Sequence, residues 1–159
     1  EALEELSGKT GFVKWPNDIY IDQKKIGGIL IENQWKGSLL EVAIVGIGIN
    51  VNQVSFDDLQ GVTSLSLLGS KNYDLRLVLT KVFEKIEFYY NLLKRGDVNQ
   101  INQIYFNHLM FSNEWKTYNS NKGKIEGKII EVIENGLLVL KLRNKELMTF
   151  EFKELQFIF

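Results

Sequence analysis

Cysteine is absent from the chain, and histidine and proline occur once each, as His108 and Pro16. Without cysteine there can be no disulfide framework and no thiolate metal site. One histidine leaves no cluster with which to hold zinc. No surplus of either charge is present: 19 Lys and Arg face 20 Asp and Glu, a formal net charge of −1. A dedicated nucleic-acid binder usually carries a basic excess, so that balance speaks against one. No apolar run approaches the roughly 20 residues that cross a bilayer. The first residues, Glu1-Ala2-Leu3-Glu4-Glu5-Leu6, are acidic and amphipathic, unlike a secretory signal, and no Met precedes them. They read as a chain entered in mid-helix, and the cytoplasm is the expected compartment. What is present is apolar: 45% of the 159 residues, enough for a core and too much for disorder.

The apolar residues are ordered by period. Residues 1–7 read as the end of a helix stopped at Gly8. Gly11 to Trp15 reads as a short strand, and Pro16-Asn17-Asp18 as a turn. Ile19–Ile21 and Lys25–Trp35 form a hairpin around Asp22-Gln23-Lys24, and Leu39–Ile49 is a third long strand. Val42 to Val45 is apolar without alternation, as a strand covered on both faces would be. Residues 53–70 are irregular, anchored by Phe56, Leu59 and Leu65. Leu75, Val78, Leu79, Val82, Phe83, Ile86, Tyr89, Tyr90 and Leu93 then follow helical spacing, with Asp74 as N-cap and Gly96 as stop. A shorter helix spans Val98 to Met110, its inward side formed by Ile101, Ile104, Tyr105 and Leu109. From Glu114 onward the pattern is strand: Trp115–Tyr118, Lys124–Ile133, Leu137–Arg143, Leu147–Phe152 and Leu155–Phe159. Glu134-Asn135-Gly136 and Arg143-Asn144-Lys145-Glu146 supply turns. Five short strands in so little chain suggest a small SH3-like barrel. The expected domains are therefore 1–112 and 113–159.

Three clusters stand out. Lys14-Trp15-Pro16-Asn17-Asp18 sets a cation at a strand end before a rigid polar turn, although a surface lysine beside an ordinary turn would look the same. Ile26-Gly27-Gly28-Ile29-Leu30-Ile31-Glu32 places two glycines inside a strand. That costs packing area and marks either a bulge or a close approach of backbone or ligand. In Val45-Gly46-Ile47-Gly48-Ile49-Asn50-Val51-Asn52, alternation puts Gly46, Gly48 and Asn50 on one bare face. A flat ligand could lie there, with a carboxamide at its end that both donates and accepts. No helix opens after these glycines, so they are not a dinucleotide fingerprint.

Taken in order and spacing, Lys-Trp-Pro-Asn-Asp at 14–18, Lys-x-Gly-Gly-Ile-Leu-x-Glu at 25–32 and Gly-x-Gly-Ile-Asn at 46–50 resemble the catalytic domain of the biotin–protein ligases. The family's small C-terminal domain has its counterpart after residue 113. The resemblance implies an α+β fold: part of a mixed-sheet, class II synthetase-like catalytic domain followed by the SH3-like barrel. It implies biotin and ATP as substrates, with Mg2+ accompanying ATP and no metal held by the protein itself. Biotinyl-5′-adenylate would form with release of pyrophosphate, and a lysine of a biotin carboxyl carrier-type domain would then attack it. On the same resemblance Lys14 is the catalytic residue, its ammonium beside the biotin carboxylate and the α-phosphate, so that Lys14→Ala costs the intact enzyme at least a hundredfold in adenylation, as about 3–4 kcal/mol of lost charge stabilisation implies. Asn50 would read the adenine edge. Gly46 and Gly48 would admit the ligand to the sheet, with Gly28, Ile29 and Ile49 around it. Asn17 and Asp18 would shape the turn and touch polar ligand atoms or magnesium, and Trp15 would be a packing anchor.

The departure from the family is upstream. Its phosphate-gripping, Gly-Arg-Gly-Arg-type loop precedes these motifs and is not in this sequence, so the segment alone is expected to be inactive. Sheet-edge homodimers are common in the family. A lipoate ligase or acyltransferase of the same fold is the alternative enzyme. A carrier-protein interaction module is the non-enzymatic one, with Lys122, Lys124, Lys128, Glu131 and Glu134 on the barrel surface. The near-neutral charge speaks against a nucleic-acid partner for this segment, which only fold analogy would suggest, and the lack of a long apolar run against a membrane.

Overall fold

The computed structural model describes residues 1–57, 59–121, 123–133 and 135–159. It divides into two compact units, Glu1–Val98 and Asn99–Phe159.

The first unit opens with α1 (Ala2–Ser7), ended by Gly8 at φ 68°, a left-handed cap that glycine adopts without strain. β1 (Gly11–Lys14), β2 (Asp18–Ile21), β3 (Lys24–Lys36) and β4 (Leu39–Ile49) follow and pair in that order, every neighbour antiparallel. The β2–β3 turn uses Asp22 and Gln23, both at positive φ, as tight two-residue hairpins require. The mixed sheet expected from the sequence is thus corrected to a purely antiparallel one. Among the described residues of this unit, parallel pairing occurs at one isolated bridge, between Lys25 and Val62. One turn of helix, α2 (Leu65–Gly69), lies in the stretch read as irregular; Ser64 caps it by accepting from the Leu67 N–H. Sequence periodicity cannot register so short an element. Leu65 is fully buried as expected, whereas Leu59 is exposed. The core gathers Leu3, Ile21, Ile26, Leu65, Tyr73 and Val78, with Leu6, Ile19, Ile49, Val51 and Leu68 against it.

β4 departs from its sequence reading more sharply. Its apolar run suggests cover on both faces, yet Leu39, Leu40, Val42, Ile44, Val45 and Ile47 are all exposed. α3 (Leu75–Lys94) is the long helix the spacing predicts, capped by Asp74, whose carboxylate accepts from the Arg76 N–H at 2.8 Å. Val78 and Leu92 are buried in it, while Leu75, Leu79, Phe83, Ile86, Tyr90 and Leu93 are exposed. Period reports which side chains share a face; it does not supply something to pack against that face.

The second unit comprises α4, which runs Val98–His108, and five strands. These are β5 (Trp115–Ser120), β6 (Gly123–Val132), β7 (Leu138–Leu142), β8 (Leu147–Phe150) and β9 (Leu155–Phe157). The expected five strands are present, but as one antiparallel sheet in the order β8-β7-β6-β5-β9, without a β8–β9 ladder to close a barrel. Of the β6–β7 turn, Glu134 lies outside the described residues, as does Lys122. The expected boundary at 112/113 marks where strand pattern begins, whereas chain contacts group residues 99–112 with this second sheet.

Tyr118 sits at the heart of the second unit, fully buried, its ring edge-on to Phe157 at 5.3 Å. Its hydroxyl has no hydrogen-bond partner among the described residues. Burial, then the charge of Glu114, pushes its ionisation above the ordinary tyrosine value. The folded state therefore resists losing that proton while the unfolded state does not. Stability attached to this group is intact below the usual pKa, about 10, and declines as pH rises beyond it. Tyr118→Phe removes the unpaired hydroxyl, so urea unfolding at neutral pH should show equal stability or a gain of about 1 kcal/mol. The decline above about pH 10 should also become shallower. A variant less stable at both pH values would contradict this account.

Candidate functional site

Two local features put the polar turn beside the glycine strands. Trp15, only 4% exposed, anchors the turn, and its bond to Pro16 is cis. Just before β2, Asn17 clamps β3: the Ile29 N–H donates to the Asn17 carbonyl at 2.8 Å, and Asn17 Nδ2 donates to the Ile29 carbonyl at 2.7 Å. Asp18 pairs across the sheet with Gly28, and Gly28 in turn with Gly48.

The result is an open cleft of about 470 Å³ lined by Asn17, Asp18, Lys25, Gly28, Ile29, Leu30, Gly46, Ile47 and Gly48. Its floor is glycine. A Cβ at Gly46 would come no nearer than 3.7 Å to another atom, and one at Gly48 no nearer than 3.9 Å. Those positions are bare for reasons the surrounding backbone does not impose. Gly27 is different. A Cβ there would meet the Gly48 carbonyl oxygen at 2.3 Å, so this glycine is required by the close approach of two strands.

Of the site residues expected from the sequence, the structure brings Asn17, Asp18, Gly28, Ile29, Gly46 and Gly48 together in the cleft. Lys14, Ile49 and Asn50 are not in its lining. Lys14 Nζ stands 3.5 Å from Asp18 Oδ2 and 5.8 Å from the centre of the Tyr20 ring, behind Asp18. Ile49 packs on the core, because alternation turns it away from the glycine face. Asn50 follows the end of β4 and is drawn into the fold: its N–H donates to Ile26, its carbonyl accepts from Leu65, and Nδ2 donates to the Thr63 carbonyl at 3.1 Å.

Sequence reasoning missed Lys25, Leu30 and Ile47. Lys25 is the cation in the cleft lining, and Asp18 Oδ1 holds its Nζ at 2.6 Å. Its main chain is fixed from the other side, with the N–H donating to Gly61 at 2.8 Å and the carbonyl accepting from Thr63 at 2.9 Å. The signal for it in the sequence is the opening lysine of the Lys-x-Gly-Gly motif at 25–28. Chemically, the cleft offers one ammonium, one carboxylate, a carboxamide engaged with the strand, and the apolar side chain of Leu30 on the same face as a bare glycine floor. Among the described residues no group of three His, Asp or Glu could hold a metal. No helix is long and apolar enough to cross a membrane.

The fold is that of the biotin and lipoate protein ligases: residues 1–50 match the Biotin/lipoate A/B protein ligase family. Bifunctional ligase/repressor BirA of Bacillus subtilis is 30% identical over 145 residues, a match covering 89% of this chain and 45% of that protein. The apo biotin protein ligase from Aquifex aeolicus superposes with a TM-score of 0.77 at 28% identity, over 99% of this chain and 69% of that one. A biotin protein ligase from Aquifex aeolicus in complex with biotin and ATP gives 0.75 at 28% identity, over 98% and 65%. Within that class, the sequence and structural matches support a member of the biotin–protein ligase family. It spans about half the length of the curated relatives it matches.

Proposed function

We propose that the chain is the part of a biotin–protein ligase that forms one wall of the site for biotinyl-5′-adenylate. The supporting observation is the cleft itself: a charged group at 25 beside a glycine floor at 46 and 48, with apolar side chains at its edge. A solved relative was captured with biotin and ATP. In the reaction proposed, a biotin carboxylate oxygen attacks the α-phosphorus of ATP and pyrophosphate leaves. A carrier-domain lysine amine then attacks the acyl carbon, the amide forms, and AMP departs with the bonding electrons. We place Lys25 beside both steps because it lines the cleft; Lys14, which the motif suggests, shares the Asp18 carboxylate with it. A fixed ammonium there offsets negative charge as it gathers on phosphorus and on the departing phosphate. Gly46 and Gly48 admit a flat bicyclic or purine ring against the strands, and Leu30, on the same face, covers its apolar edge. Mg2+ enters with ATP; Asp18, the carboxylate of the cleft lining, is already shared between two lysines. The second unit serves as the SH3-like C-terminal domain, the partner is a carrier domain of biotin carboxyl carrier type, sheet-edge pairing gives a homodimer, and the cytoplasm supplies the ATP.

By itself the chain is expected to show no ATP–pyrophosphate exchange, since one wall of an open cleft does not exclude water from an acyl-adenylate. Binding is the decisive test. Biotinyl sulfamoyl adenosine, a stable mimic of the adenylate, at a hundred times its Kd stabilises a single site by about 2.7 kcal/mol. In a domain of this size the melting temperature then rises by about 5–10 °C. The lipoyl counterpart should give no rise. Equal shifts would favour a lipoate enzyme of the same fold, and no shift with the biotinyl compound would overturn the proposal.

A further inference from the structure

We infer that Asp18 is a positioning residue whose carboxylate fixes the Lys25 ammonium at the cleft, with Lys14 as its second counter-ion. The inference rests on the reading of the cleft given above and deepens it. Lysine carries a compact charge on a long, flexible stem, so a lysine in an open cleft sweeps a wide volume unless something holds its tip. Here both ends are held. The main chain at 25 is pinned by Gly61 and Thr63, and the tip lies 2.6 Å from Asp18 Oδ1. The other oxygen, Oδ2, faces Lys14 Nζ at 3.5 Å. Two cations about one carboxylate leave the trio with a net positive charge, so the site can still attract an anion while the pair fixes geometry. Asp18 is the first residue of β2 and pairs across the sheet with Gly28. A Cβ at 28 would touch both partners, at 3.4 Å from Asp18 Oδ1 and 4.0 Å from Lys25 Cε.

The test is made on the ligand-free chain with carbon-13 labelled lysine, observed by NMR. Lys25 should show two distinct Hε resonances, restricted Cε motion, and cross-relaxation to the Asp18 Hβ protons. Asp18→Asn, which keeps the shape and removes the charge, should merge the two Hε resonances and release the Cε motion. The Lys25 amide, bonded to Gly61, should stay in place. Asp18→Glu should restore part of the order. Unchanged Lys25 order in Asp18→Asn would overturn the inference. So would absence of the cross-relaxation in the unaltered chain, a measurement that stands even if the variant does not fold. A separate titration with biotinyl sulfamoyl adenosine keeps the two readings apart. Unmoved Gly28, Gly46 and Gly48 amides would count against the biotin site, while the ligand-free result alone decides the role of Asp18.

Discussion

Lys25→Ala, in a complete ligase domain built on this sequence, is expected to slow single-turnover formation of biotinyl-adenylate at least a hundredfold. Removing one fixed group aimed at developing charge costs about 2.7–4 kcal/mol of barrier, and each 1.36 kcal/mol is about tenfold in rate. Lys14→Ala should cost less, because Lys25 lines the cleft whereas Lys14 stands 3.5 Å from the other Asp18 oxygen. The two variants carry the same charge change, so long-range electrostatics cannot produce the difference between them. Quenched-flow measurement of pyrophosphate release from radiolabelled ATP gives both rates. A larger loss at 14 than at 25 would return the central role to the residue that the motif first suggests.

Gly27→Ala is expected to destabilise the first unit by about 3 kcal/mol, the scale of an overpacked interior site that cannot relax without moving backbone. The clash is with the carbonyl oxygen of Gly48, part of the ladder joining β3 and β4, not with the end of a mobile side chain. Gly46→Ala and Gly48→Ala should differ from the parent by about 1 kcal/mol or less, because each methyl would enter open space. Those same methyls would stand on the cleft floor, so the variants should fold and lose affinity for biotinyl sulfamoyl adenosine. Urea unfolding followed by tryptophan fluorescence reads the first effect and calorimetric titration the second. If Gly48→Ala unfolded as readily as Gly27→Ala, the floor would be a packing necessity and not a ligand surface.

The two glycine clusters show how much of the site could be read early. Glycine in a strand signals that something must come close, and both clusters do lie at the cleft. The signal does not say whether the visitor is a ligand or the neighbouring strand. Register decides that: Gly27 faces the Gly48 carbonyl, while Gly46 and Gly48 face the cleft. The lysines carry the same lesson. Lys14 stands in the more distinctive motif, but motif distinctiveness records neither strand direction nor side-chain reach. The turn at residues 15–17 folds Asp18 toward β3, and it is Lys25 that this movement meets. The sequence places Asn50 as a donating and accepting carboxamide at the end of a bare strand face, whereas the chain beyond it returns through Thr63 and occupies its Nδ2.

What the sequence determined by itself is local: the helices at either end of the first sheet, the hairpin turns, the strand pattern after residue 114, and the family to which three spaced motifs belong. Each depends on neighbours a few residues apart, through hydrogen bonding and side-chain period. What the tertiary structure alone decided is which groups share the cleft, that both sheets are antiparallel, and that the faces of β4 and α3 lie open. Those outcomes depend on pairings between residues far apart in the chain, where a shift of one position turns every side chain to the opposite face.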